Sequence, residues 1–211
     1  NYTNEELVAL VDENIEILDE EALLRAATLV KENEGKLTIY NKAIEKFNSD
    51  RAIINKAVVL LNMNKNEEAA NVLAQTSNKN CPYYNNTLGV IALRNGNIAD
   101  AEAAFKKANI DAAKANLGVI AILKGDYTAA VSQLKGTKSY NEALAHILTN
   151  DLTAASNILG DAKCPCKNYL KAIIAARQGK VEEANAALEI AKGDEALAAR
   201  AENDIEFAKI R

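Results

Sequence analysis

Leu88-Gly89-Val90-Ile91-Ala92-Leu93 is followed by Gly96, Ala101 and Phe105, and Leu117-Gly118-Val119-Ile120-Ala121-Ile122 is followed by Gly125, Ala130 and Leu134. The two stretches say the same thing. Counting from Gly89 or Gly118, a glycine stands at position 7, an alanine at 12 and a large apolar residue at 16. A fixed internal spacing is the mark of a repeat architecture, in which each unit must stack on its neighbours to bury its apolar face.

Three further copies fit the frame: Ala57, Asn64, Ala69, Leu73; Ala143, Asn150, Ala155, Leu159; and Ala172, Gly179, Ala184, Leu188. Each copy reads as a helical hairpin. The first helix ends at a Gly or Asn, the residues that best tolerate a left-handed backbone. The second helix presents Ala at its close approach to the first, and a large side chain one turn further on the same face. The starting residues are 32, 29, 25 and 29 positions apart, so all length variation falls in the connections between hairpins. A stacked array tolerates variation there.

At these residues the chain resembles the tetratricopeptide repeat family over positions 36–192, most closely in its second and third copies. The resemblance implies an all-α, right-handed solenoid of stacked antiparallel hairpins. The chain departs from the family pattern in having periods shorter than the usual 34 residues, no Trp, and no Pro near the end of each repeat.

Outside the array, Asn4 to Leu18 has helical apolar spacing, with Thr3 or Asn4 available as its cap. Asp19 should cap a second helix running to Asn33, broken by Glu34-Gly35. Lys36 to Asn48 carries Ala43 and Phe47, the Ala-to-apolar step of a degenerate first hairpin. Gly193 ends the last hairpin, and Asp194 caps a final helix with Leu197, Ala201, Ile205 and Ala208 on one face. The expected organisation is therefore N-terminal capping helices at 1–35, hairpins at 36–192 and a C-terminal capping helix at 193–211, all in one continuous domain. The Glu21 to Val30 segment and Asp204-Ile205-Glu206-Phe207 resemble segments of OmpA-associated cell-envelope proteins of Gram-negative anaerobes. That resemblance implies a bacterial envelope setting, periplasmic, with the cytoplasm as the alternative. Beginning at Asn1, the sequence reads as a processed or excised piece.

Twenty-five basic and 29 acidic residues are interspersed, leaving no electrostatic footprint for nucleic acid. The longest apolar run, Leu117 to Leu123, is far short of the ~20 residues of a membrane span, so no direct membrane insertion is expected. Aromatics make up 5% of the chain, with two Pro and nine Gly, a composition that favours helix and disfavours sheet.

Few residues suggest catalysis. Cys164-Pro165-Cys166 with His146 would lack a fourth zinc donor. Cys-Pro, repeated as Cys81-Pro82, reads instead as a helix start with Pro at the first helical position. Cys81 and Cys164 lie three hairpins apart, too far to bridge, and indifference to reductant is expected. His146 shares a column with Leu60, Ala92, Ala121 and Ala175 and should be packed and hydrogen-bonded rather than catalytic. Glu67-Glu68 and Glu182-Glu183 share a place in the first turn of a second helix, where the dipole favours them. No catalytic, cofactor or metal residues are therefore assigned, and the chain reads as a non-enzyme.

One polar column asks for a reason. Two residues before each starting position stand Asn55, Thr87, Asn116, Asn141 and Leu170, inside first helices where Asn costs up to ~0.7 kcal/mol relative to Ala. The tetratricopeptide resemblance implies that this column lines a concave groove, where an amide side chain can both donate to and accept from a peptide main chain. Arg51 lies one turn earlier than Asn55, and Asn86, Tyr140 and Tyr169 occupy the adjoining column. The expected peptide-binding residues are Arg51, Asn55, Asn86, Asn116, Tyr140, Asn141 and Tyr169, with a partner protein or extended peptide as ligand. The alternative is a structural spacer whose groove is unused or filled by the same chain.

Overall fold

Helix-forming signals recur along the chain, and the computed structural model, which describes residues 2–210, realises them as helices and turns, with no strand among those residues. The α-helices are α1 (Asn4–Asn14), α2 (Glu20–Leu29), α3 (Asn33–Phe47), α4 (Asp50–Asn62), α5 (Asn66–Leu73), α6 (Pro82–Arg94), α7 (Ile98–Ala108), α8 (Asp111–Lys124), α9 (Tyr127–Leu134), α10 (Tyr140–Leu148), α11 (Leu152–Leu159), α12 (Pro165–Arg177), α13 (Val181–Ala191) and α14 (Glu195–Asn203). Short 3-10 turns occupy Ile15–Ile17 and Ile205–Phe207. Two compact units result, residues 1–113 and 114–211, and the division falls inside α8.

The hairpin turn forms as the spacing predicts. Asn64, Gly96, Gly125, Asn150 and Gly179 all have positive φ, between 59° and 80°. The residue after each closes the turn through its backbone N–H, which donates to a carbonyl five residues back: Lys65 to Leu60, Asn97 to Ala92, Asp126 to Ala121, Asp151 to His146 and Lys180 to Ala175. Each bond satisfies a carbonyl that the helix end would otherwise leave without a donor. Ala69, Ala101, Ala130, Ala155 and Ala184 are all fully buried, and so, within a few percent, are Leu73, Phe105, Leu134, Leu159 and Leu188.

In the first unit, Thr3 caps α1 through a capping box with Glu6. Asp19 caps α2 by accepting from the Ala22 N–H at 2.8 Å. The expected break at Glu34-Gly35 lies elsewhere: α2 ends at Leu29, Val30 and Glu32 are extended, and Gly35 sits inside α3. Gly35 serves packing there, because a Cβ on it would lie 2.7 Å from Val30 Cγ1. The degenerate hairpin also departs from the others at its last position. Phe47 is 39% exposed, with Lys46 Nζ 5.3 Å from its ring centroid.

In the second unit, Asp194 caps α14 by accepting from the Leu197 N–H. The expected apolar face does not run on to Ile205, which is 85% exposed. Asp204 stops α14 and caps a new 3-10 turn by accepting from the Glu206 N–H. The change of direction turns Ile205 outward and seats Phe207 in the core with Leu170, Ile173 and Ala201.

Both units use an arginine strap between successive first helices. Arg94 Nη1 donates to the Leu61 carbonyl at 2.5 Å, and Arg177 Nη1 donates to the Ile147 carbonyl at 2.8 Å. Each guanidinium reaches the negative end of the preceding first helix, where cations are favoured.

Candidate functional site

The first helices α4 and α6 lie side by side in the first unit. On α4, Arg51, Asn55 and Val58 follow one another at helical spacing, and all three are exposed. Arg51 is not a free cation. Its Nη1 lies 2.7 Å from Glu21 Oε2, which holds the Glu21 carboxyl below its usual range, but both side chains are open to solvent and such pairs are weak. Asn55 stands beside the Tyr40 hydroxyl, whose pKa is raised by burial and pulled back partly by a hydrogen bond from Asn55.

On α6, Asn86 is half-buried and Thr87 is buried, its hydroxyl donating to the Tyr83 carbonyl. Tyr83 is the residue that sequence reasoning missed. It occupies on α6 the repeat position that Arg51 occupies on α4, and it is 64% exposed, the most open aromatic among the large exposed side chains. The signal was there: six positions before the starting residue stand Arg51 and Tyr83, both on the stripe that carries Asn55 and Thr87.

In the second unit, Asn116 on α8 and Tyr140 and Asn141 on α10 are half-buried. Burial is the main cause that raises the Tyr140 hydroxyl above its usual range, with Arg200 opposing. Tyr169 corrects the sequence expectation. It is fully buried, so it lines no open groove. Its hydroxyl donates to Asp204 Oδ2 at 2.6 Å, its ring meets Phe207 edge-on at 5.4 Å, and the Arg200 guanidinium lies 5.3 Å from its ring centroid. Burial, followed by the Asp204 hydrogen bond, pushes this hydroxyl well above the tyrosine range. The segment after α14 has thus covered the first-helix face of the last hairpin.

Two buried polar devices in the connections were also invisible in the sequence. Asn85 Nδ2 donates to the carbonyls of Lys79 and Cys81, and Asn168 Nδ2 repeats the arrangement with Ala162 and Cys164. Buried Glu142 accepts from the backbone N–H groups of Gly136 and Lys138 at 2.8 and 2.6 Å. These side chains shape the loops before α6, α10 and α12.

His146 is packed as its column implies, with its side chain 16% exposed, but its buried Nδ1 makes no hydrogen bond, Asp151 Oδ2 lying 3.3 Å away. Glu67-Glu68 and Glu182-Glu183 do fall in the first turns of α5 and α13. Pro82 and Pro165 both open their helices. Cys164 and Cys166 are neighbours: their sulfurs lie 3.3 Å apart and both residues are exposed. Among the described residues no cluster of three or more His, Cys, Asp or Glu side chains is placed to hold a metal, and no helix is long and apolar enough to cross a membrane.

The hairpin geometry agrees with what the chain is similar to. Residues 54–115 match the family model of the tetratricopeptide repeat. No curated protein matches the sequence. Among solved structures, the APC/C hetero-tetramer Cut9–Hcn1 is similar with a TM-score of 0.76 at 14% identity, over 98% of this chain and 45% of that one. A tetratricopeptide repeat protein from Parabacteroides merdae is similar with a TM-score of 0.65 at 15% identity, over 93% and 88% of the two chains. YrrB, a tetratricopeptide repeat protein with an unusual peptide-binding site, has a TM-score of 0.53 at 17% identity, over 78% and 98%. The chain thus spans less than half of the first of these, and the likeness at such identities is one of fold: an all-helical solenoid of the tetratricopeptide type.

Proposed function

We propose that this protein is a non-enzymatic interaction scaffold that binds a partner protein or an extended peptide on the first-helix face of its hairpins. The observation that carries the reading is the open stripe on α4 and α6, where Arg51, Asn55 and Tyr83 are exposed beside half-buried Asn86. Asparagines on a helix surface offer a donor and an acceptor to a passing main chain, and an exposed tyrosine supplies area with a polar tip. Likeness of fold to YrrB, whose description includes a peptide-binding site, supports the reading. Asn116, Tyr140 and Asn141 are the corresponding residues of the second unit. A bacterial envelope setting is part of the proposal, and it rests on the resemblance of the Glu21 to Val30 and Asp204 to Phe207 segments.

An extended-peptide library selected on the immobilised protein, followed by titration of the best binder, tests this. Asn55→Ala should weaken binding by about 0.5 to 1.5 kcal/mol, the net worth of a hydrogen bond, and Tyr83→Ala by more. If charge reversals at Glu68 and Glu183 on second helices abolish binding while the Asn55 and Tyr83 changes leave it intact, the reading fails.

One observation favours a second reading, in which the protein is a structural spacer of an envelope assembly. Tyr169 is already covered by Phe207 and bonded to Asp204, so the last first-helix face is filled from within the chain.

A further inference from the structure

Two Cys-Pro helix starts occupy equivalent repeat positions, and only one of them carries a second thiol. Cys81 precedes Pro82 at the start of α6 and is followed by Tyr83, whereas Cys164 precedes Pro165 at the start of α12 and is followed by Cys166. Sγ of Cys164 and Sγ of Cys166 are 3.3 Å apart at an exposed helix end. A disulfide bond is about 2.04 Å long, so the two sulfurs must approach by roughly 1.3 Å to bond.

We propose that Cys164-Pro165-Cys166 is a thiol–disulfide exchange site, with Cys164 as the attacking thiol, Cys166 as the resolving thiol, and a small or peptide disulfide of the glutathione class as its reaction partner. The division of roles follows from position. Cys164 is the residue immediately before α12, and a helix start stabilises negative charge. The Lys167 backbone and the Cys166 thiol lower the Cys164 thiol from its usual range, while donating to Cys164 raises Cys166. The thiolate is the nucleophile in exchange, and its exposure lets a disulfide reach it.

The chemistry balances in two steps. Cys164 thiolate attacks one sulfur of the disulfide, the sulfur–sulfur bond breaks, and one thiolate leaves, taking up a proton. Cys166 then gives up its proton and attacks Cys164 Sγ in the mixed disulfide, expelling the second thiolate. The protein's two thiols are oxidised by two electrons, and one disulfide is reduced to two thiols.

The test uses the full chain with glutathione disulfide, followed by peptide mass and free-thiol counting, with circular dichroism to confirm that each variant is folded. In the unsubstituted protein the peptide holding Cys164 and Cys166 should lose two hydrogens and carry no lasting adduct, and reduced glutathione should restore it. Cys166→Ser should accumulate a single glutathione adduct on Cys164. In Cys164→Ser, glutathione should add to Cys166 more slowly than it adds to Cys164 in Cys166→Ser, and the adduct should persist because no resolving thiol remains. Cys81→Ser should change nothing at the site. Separate adducts on Cys164 and Cys166 in the unsubstituted protein, or a Cys164 that reacts no faster than Cys81, would overturn the proposal.

Discussion

Gly118 lies so close to Leu134 that a Cβ on the glycine would stand 2.5 Å from Leu134 Cγ, and the preceding hairpin repeats the arrangement, with a Cβ on Gly89 falling 2.6 Å from Phe105 Cε1. In the three other hairpins Ala57, Ala143 and Ala172 hold the glycine's repeat position and share core clusters with Leu73, Leu159 and Leu188. Small and large residues are thus matched across each of these five hairpins, and Phe105, the only Phe among their large residues, is opposite a glycine.

Gly89→Ala should destabilise the protein by about 1 to 2 kcal/mol. Overpacking costs about 1 to 3 kcal/mol, and the better helix propensity of Ala returns up to about 1 kcal/mol. Gly118→Ala should cost a similar amount, because the added Cβ would meet the branch atom of the buried Leu134 side chain and not its flexible end. Adding Phe105→Leu to Gly89→Ala recreates the Ala–Leu pair of the other hairpins and should recover part of the loss. Urea midpoints of the unsubstituted protein, Gly89→Ala, Phe105→Leu and the double variant form the cycle that measures the coupling.

Ala130→Leu should lower stability by about 1 to 3 kcal/mol, because Ala130 is fully buried against Leu134 and Ala145 with no room for added atoms. An unchanged denaturation midpoint would contradict the hairpin register.

Glu142→Ala should cost about 1 to 3 kcal/mol by removing the charged acceptor of the part-buried hydrogen bonds from the Gly136 and Lys138 N–H groups. Glu142→Gln should recover part of this, because one amide oxygen can still accept. Chemical denaturation of the three proteins checks the order.

Tyr169 should make stability fall at alkaline pH. Its folded pKa is raised, by burial first and by the Asp204 carboxylate second. Its contribution is therefore fully present below the unfolded tyrosine value of about 10 and is lost as pH rises towards the folded value. Tyr169→Phe should cost about 0.5 to 1.5 kcal/mol at neutral pH and flatten the alkaline slope. Thermal melts of both proteins above about pH 9 measure the difference.

The hairpins were legible because their determinants are local. Gly96 or Asn150 declares a left-handed turn within its own few residues, and Ala101 or Ala130 declares a close approach from spacing alone. Local spacing could not show that Asp204 would end α14 early and turn Phe207 onto Tyr169, because that outcome depends on an aromatic contact between residues 38 positions apart. Asn85, Asn168 and Glu142 escaped notice for another reason. Their partners are backbone groups of irregular connections, and a sequence does not display those. Cys164 and Cys166 fell between the two cases: the spacing was visible, but only the start of α12 brings their sulfurs together.

The arginine straps give each unit a direction in time. As the chain leaves the ribosome, α4 is complete 32 residues before Arg94 appears, and α10 is complete 29 residues before Arg177. Until then the Leu61 and Ile147 carbonyls have no guanidinium to receive. Each earlier hairpin is therefore finished by its successor, and truncating the chain just before Arg94 or Arg177 removes a bond from a helix that the truncation leaves intact.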